Sequence, residues 1–210
     1  DAHEGTAFYD LAWTPDQGFM HDPFVALSYL MTRTEEIALG VGITNPYQRH
    51  PIQIARAAVT LADMRPGGFV LGLGAGEKRR IRDRVGAPTG PFIDTISVTM
   101  QVLRDLFDGK KVSVSNSVFE LDDVGLEISN PPKVPIFLAT THPDAFRAAG
   151  AYADGVIVGD VADPAVGLGA ANQLRGVGDE AGTRLPFLQC LIQIEGSAVG
   201  DGHVFPCVRC

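Results

Sequence analysis

Thr140-Thr141-His142-Pro143 gathers two hydroxyls, an imidazole and free backbone N–H groups where an apolar run gives way to a helical one. The first N–H groups of a helix have no partner inside it, so such a place attracts anions. The tetrapeptide suits a cofactor phosphate and, on local grounds alone, equally suits an ordinary helix cap. A second group, Gly72-Leu73-Gly74-Ala75-Gly76-Glu77, resembles the start of a dinucleotide-binding turn. That fingerprint needs a third glycine at the position of Glu77 and a helix directly after it. The residues that follow read instead as a loop, so the glycines are better explained by a strand end that approaches a flat ligand or packs closely on its neighbours. The basic run at 78–84 reads first as a solvated loop and second as a lid over an anionic ligand.

Other chemistries find little support. No Gly-x-Ser-x-Gly elbow occurs. His3, His21, His50, His142 and His203 do not fall into a metal-ligand spacing. Cys207 and Cys210 with His203 supply three ligand types and no fourth, so metal-free chemistry is expected.

The elements that must position these groups alternate. Strand-like apolar segments lie at 8–13, 37–43, 69–73, 134–139, 155–158 and 186–194, and most are short, as expected of strands covered on both faces. Helical spacing separates them: in 51–64, Ile52, Ala55, Val59 and Ala62 share one face. Asp22-Pro23, His50-Pro51, Gly90-Pro91, His142-Pro143 and Asp163-Pro164 each open a helical stretch, with proline suited to the first helical position. Asp22 and Asp163 can also cap the N–H groups beyond them. The alternation predicts a parallel sheet with right-handed crossovers, either an open doubly wound sheet or a closed eight-fold barrel. Residues 110–128 break the rhythm and read as a small inserted hairpin around Asn116-Ser117.

Strand ends carry the polar residues and glycines: Trp13-Thr14-Pro15-Asp16-Gln17, Gly42-Ile43-Thr44-Asn45-Pro46-Tyr47, Gly72 to Glu77, Ala139 to His142, and Gly159-Asp160. In a parallel barrel the active site lies at these ends.

Whole-chain properties set the outer limits. A length of 210 residues suggests one domain, or one and a half at most. Hydrophobic residues make up 45% and charged residues 20%, an ordinary globular balance. A formal charge of −8 argues against a nucleic-acid surface. No apolar run is long enough for a membrane span, and no secretory leader is recognised. Three late cysteines, Cys190, Cys207 and Cys210, do not suggest a disulfide scaffold, so a cytoplasmic setting is expected. Residues 1–7 read as the tail of a helix running into the first strand, and no closing strand is evident by Cys210. Since such a barrel takes roughly 250 residues, the expectation is one incomplete at both ends, spanning 1–194, with an atypical tail at 195–210.

Four stretches resemble the bacterial luciferase-like superfamily, and within it the branch of deazaflavin-dependent methylenetetrahydromethanopterin reductases. They are DLAWTPDQGFMHDPF (10–24), IALGVGITNPYQRHP (37–51), GFVLGLGAGE (68–77) and VPIFLATTHPDAFRAAGAYADG (134–155). The resemblance implies a (β/α)8 TIM barrel that binds coenzyme F420 or FMN. It implies a bulge with a non-proline cis peptide at Gly42–Ile43 behind the cofactor ring, with Thr44 and Asn45 at the ring edge. Thr140, Thr141, His142 and Gly159 would hold the cofactor phosphate. Glu77 would be the best-placed carboxylate near the ring or substrate, donating or orienting a proton, with Gln17 and Asp16 as further catalytic candidates. Several deazaflavin enzymes of this superfamily have a histidine directly after the aspartate that Asp16 matches. Gln17 can hydrogen-bond there but cannot exchange a proton, which favours a reductase in which the cofactor supplies hydride.

The resemblance therefore implies an F420-dependent oxidoreductase acting on a small organic substrate. An FMN-dependent monooxygenase, supplied with reduced flavin by a partner reductase, is the alternative, and a catalytically silent flavin-binding fragment is the non-enzymatic one. A homodimer would cover any exposed sheet edge.

Overall fold

The computed structural model describes residues 10–76, 84–88, 90–140, 142, 144–145 and 151–157, together with the backbone of 187–190 and 208–209. Strand β1 is Leu11–Thr14, followed by helix α1 at Pro23–Met31, β2 at Ala38–Thr44, α2 at Pro51–Met64 and β3 at Phe69–Gly74. Helix α3 (Phe92–Phe107) leads into the hairpin strands β4 (Val112–Ser115) and β5 (Glu120–Val124). Then come β6 (Ile136–Ala139), β7 (Gly155–Ile157), β8 (Phe187–Cys190) and β9 (Val208–Arg209).

The main sheet has the order β1-β2-β3-β6-β7-β8-β9. Every pair from β1 to β8 is parallel, and β9 adds an antiparallel edge to β8. The sequential, parallel order is that of a barrel wall, not of a doubly wound sheet with a reversal in the middle. The hairpin stands apart as its own two-stranded sheet. It lies within residues 110–128, and the tail strand β9 had no local signal.

Proline and capping chemistry set the helix starts. Asp22 accepts hydrogen bonds from the N–H groups of Phe24 (2.9 Å) and Val25 (3.3 Å), with Pro23 at the first helical position. His50 caps α2 by accepting from Ile52 N–H, again ahead of a proline. At α3 the expectation needs correcting: Pro91 is itself the cap residue, and no side chain caps that end.

Two apolar clusters lie on opposite faces of the sheet. The larger joins Leu39, Val41, Phe69, Leu71, Leu73, Ile136 and Leu138 to buried helix residues such as Leu27, Ile54, Val59, Met100 and Leu103. The smaller lies on the face turned away from the helices and holds Leu11, Trp13, Phe137 and Ile157, with Ala38, Ile43, Val70 and Ala139 packed against it. The strict alternation of the pleat makes this division. At the amino ends of the strands, Arg104 of α3 ties the wall together. It donates to the carbonyls of Tyr152 and Val134 and pairs with Asp154, which accepts the Ile136 N–H at 2.7 Å.

Candidate functional site at the carboxyl ends of the strands

Alternation breaks once on β2. The register with β3 shifts between Val41 and Thr44, and the Gly42–Ile43 peptide is cis. At that register shift Gly42 and Ile43 both face the inner cluster, where a regular strand would turn one of them outward. Both are half-buried, whereas Val41 before them and Thr44 to Tyr47 after them are buried. This pair is thus an opening in an otherwise closed segment.

Glycines on neighbouring strands make room for what projects there. A β-carbon on Gly40 would lie 2.5 Å from Trp13 Cε3, and one on Gly42 would lie 3.0 Å from the same atom. On β3, a β-carbon on Gly74 would meet Ile43 Cδ1 at 2.2 Å, and one on Gly72 would meet Ile43 Cγ2 at 3.2 Å. The glycines of 72–74 therefore serve close packing within the barrel wall. Trp13 reaches far enough across the sheet to stand 6.1 Å, centroid to centroid, from Phe137 on β6. Its indole N–H is buried and has no hydrogen-bond partner among the described residues.

Polar residues surround this opening in a fixed network. Thr44 Oγ1 donates to Asp16 Oδ2 at 2.7 Å, and Arg49 Nε donates to the same oxygen at 3.1 Å. The other end of the Arg49 guanidinium pairs with Asp22 at 3.0 Å. Burial alone would raise the Asp22 carboxyl, but Arg49 and the N–H groups of Val25 and Phe24 outweigh it and hold it below the usual carboxylate range. Burial likewise works against the Arg49 charge, and its two aspartates hold its pKa above the ordinary arginine value. Arg49 also lies over the Phe24 ring, 4.9 Å from its centroid. Sequence reasoning missed Arg49, and only the pattern Asp-x5-Asp at 16–22 facing a basic residue could have pointed to it.

The expected site residues fare differently. Asp16 is pinned and its side chain is only 5% exposed, so it acts as an anchor for the loop. Gln17 follows it half-buried, between that anchor and Gly18. Gly18 has φ +70 and lies under the Gln48 side chain. Thr44 and Asn45 are both buried. The Asn45 side chain turns back to accept from the Tyr47 and Gln48 N–H groups and donates to Gln48 Oε1. Thr140 accepts the His142 N–H at 3.0 Å, and His142 Nδ1 accepts the Asp144 N–H at 3.2 Å. Those two N–H groups are capped locally, as one of the two readings of this tetrapeptide anticipated. Glu77, Thr141 and Gly159 lie outside the described residues, as do His203, Cys207 and Cys210.

An apolar cavity of about 370 Å³ runs along β1 and α1, lined by Ala12, Trp13, Met20, Leu27, Leu30 and Leu39 among others. It lies beside β1, the strand at the end of the sheet, and not in front of Ile43. Among the described residues no cluster of three His, Cys, Asp or Glu side chains could hold a metal, and no helix is long and apolar enough to cross a membrane.

Comparison with known proteins adds three findings. The family described as luciferase-like monooxygenase matches residues 6–193. Over 150 residues, 69% of this chain and 41% of the other, the sequence is 31% identical to the F420-dependent hydroxymycolic acid dehydrogenase of Mycobacterium tuberculosis. Among solved structures, the coenzyme F420 dependent tetrahydromethanopterin reductase of Methanopyrus kandleri superposes with a TM-score of 0.75 at 22% identity, over 87% of this chain and 57% of that one. A monooxygenase from Streptomyces bottropensis gives 0.69 at 19%, over 80% and 53%. At such identities the superpositions show the fold. The chain spans about half the length of the relatives it matches.

Proposed function

The chain belongs to the luciferase-like monooxygenase family, and from that premise we propose that it forms the cofactor-binding part of an F420-dependent oxidoreductase acting on a small organic molecule. The observation that carries the reading is the half-buried Gly42–Ile43 pair, which faces the inside of the barrel wall at the carboxyl ends of its strands. The choice of F420 rests on the relative from Mycobacterium tuberculosis, whose name specifies that coenzyme.

The residues present fit a flat ring at this place. Gly74 and Ala139 stand side by side in register at the ends of β3 and β6, so the wall beside Ile43 is low. The surroundings are apolar and exclude water from one face of a ring. When bound, the deazaflavin supplies the hydride. Gly42 and Ile43 would support the ring from behind, while the Thr44–Asp16–Arg49 network fixes the loops on either side. Thr44 and Asn45 contribute through this positioning, since their side chains are already engaged. Gln17 would orient the substrate through its amide, and Glu77 would hold or deliver a proton. Thr140, Thr141, His142 and Gly159 would border the cofactor phosphate. FMN is the alternative occupant of the same place, and a bound but idle cofactor is the non-enzymatic alternative.

Thermal unfolding with each cofactor tests the reading. A ligand at about a hundred times its Kd adds about 2.7 kcal/mol of stability, which for a domain of this size raises the Tm by several degrees. F420 is expected to give the larger rise. A Tm unmoved by both cofactors would sink the proposal, and a rise with FMN alone would transfer it to the monooxygenase reading. Binding without hydride transfer to any acceptor would support the idle fragment.

A further inference from the structure

Trp13 is the one tryptophan of the chain, and it is built into the wall by its neighbours. Its register partner on β2 is Gly40, and glycine is needed both there and at Gly42 for the indole to lie against the strand. The residue is 5% exposed, in a cluster whose other members, Leu11, Phe137, Ile157, Val70 and Ile43 among them, offer no side-chain acceptor. A buried donor without a partner is destabilising, because the water it gave up is not replaced. A phenylalanine would fill much of the same space without that loss. The indole N–H therefore has a cost to folding and no return within the described chain. Its half-buried members are Ala38, Ile43, Val70 and Ala139, and of these Ile43 and Ala139 stand at the carboxyl ends of their strands.

We infer that Trp13 is a positioning residue of the cofactor site, donating its indole N–H to an acceptor on the bound ring and so fixing how the ring sits beside Gly42 and Ile43. This rests on the reading above. Flavin and deazaflavin rings both carry carbonyl oxygens and ring nitrogens able to accept such a bond, and satisfying a buried donor is a gain available only in the bound state.

Because the chain has a single indole, nitrogen-15 labelling of tryptophan gives one side-chain N–H signal, readable in the full chain without mutation. Binding is followed separately by the cofactor's own absorbance. On saturation with F420 or FMN the indole proton is expected to move downfield and to exchange more slowly with water. Trp13→Phe is expected to weaken binding about tenfold. If cofactor binds while the indole signal stays in place and Trp13→Phe binds as tightly as the parent, the inference fails and the cofactor reading stands. If the parent binds neither cofactor, both fall. Should Trp13→Phe not fold, the labelled parent still decides.

Discussion

Ile43 lies across Gly74 so closely that a single added methyl on the glycine would sit 2.2 Å from the isoleucine Cδ1. The two residues belong to neighbouring strands and meet because the β2 bulge turns Ile43 inward. The glycines at 72 and 74 that resemble a phosphate-binding turn are thus the seat of a side chain from the next strand.

Gly72 and Gly74 should respond differently to alanine. At Gly72 the new methyl would meet the Val41 carbonyl oxygen at 2.4 Å, and backbone cannot step aside cheaply. Gly72→Ala is expected to cost about 2–3 kcal/mol, in the range of core overpacking, whereas Gly74→Ala pushes mainly the tip of a flexible side chain, with the Ala139 carbonyl oxygen at 3.1 Å, and should cost about 1 kcal/mol. Urea midpoints of the two variants check this. Equal losses would show that Ile43 and the Ala139 carbonyl together yield no more readily than the Val41 carbonyl.

Removing the hydroxyl of Thr44 leaves a nearly buried carboxylate with one donor fewer. Thr44→Val is expected to lose about 1–3 kcal/mol, and the loss should shrink when Asp16 is already asparagine. A double-mutant cycle on urea unfolding measures the coupling. Additive losses would mean that the 2.7 Å contact contributes nothing.

Asp22 makes stability depend on acid. Its carboxyl is held below the ordinary aspartate range in the folded chain, so the unfolded chain takes up the proton first as pH falls. The contribution is complete above about pH 4, where the unfolded carboxyl is ionised, and is lost as pH drops through the lower folded value. Asp22→Asn keeps the ability to cap α1 and removes the pairing with Arg49. Its stability curve is expected to be flatter than the parent's below pH 4, and identical slopes would contradict the sign worked out here.

Arg104 supplies a control far from the strand ends at which the cofactor site is proposed. It bonds two backbone carbonyls and Asp154 at once, so Arg104→Ala should cost about 2 kcal/mol. Cofactor affinity, measured well below the melting temperature, should stay within twofold of the parent. A large loss of affinity would mean that the two ends of the barrel wall are coupled.

Gln17 is half-buried and its side chain makes no hydrogen bond to another described residue. Gln17→His is expected to leave the urea midpoint within about 0.5 kcal/mol of the parent. It should also give ligand binding a new pH dependence near the ordinary histidine value of about 6.5. A flat pH profile would remove Gln17 from the site.

Helix α2 was legible to the residue, because Pro51 and the spacing of Ile52, Ala55, Val59 and Ala62 are local signals that tertiary contacts merely confirm. Strands β2, β3, β6 and β7 were legible within one or two residues for the same reason, while the expected segments 8–13 and 186–194 run partly outside the described residues. Asn45 was not. Its place after the strand was readable, but the turn that consumes its amide on Tyr47 and Gln48 depends on backbone angles that composition does not encode. Trp13 reads from the sequence only as part of a strand end, because its place against Gly40 depends on a strand register that no local pattern fixes.

By itself, then, the sequence determined the order of strands and helices, the prolines that start α1 and α2 with the Asp22 cap, and the end of the sheet where polar residues collect. All of these follow from periods and pairings a few residues long. Tertiary structure alone decided that Ile43 occupies the space over Gly72 and Gly74, that Trp13 spans the sheet toward Phe137, and that one oxygen of Asp16 serves both Thr44 and Arg49. Those partners lie 28 and 33 positions from Asp16 along the chain. No local pattern specifies which side chains meet at such separations; only the parallel pairing of β1 with β2 brings their carboxyl ends together.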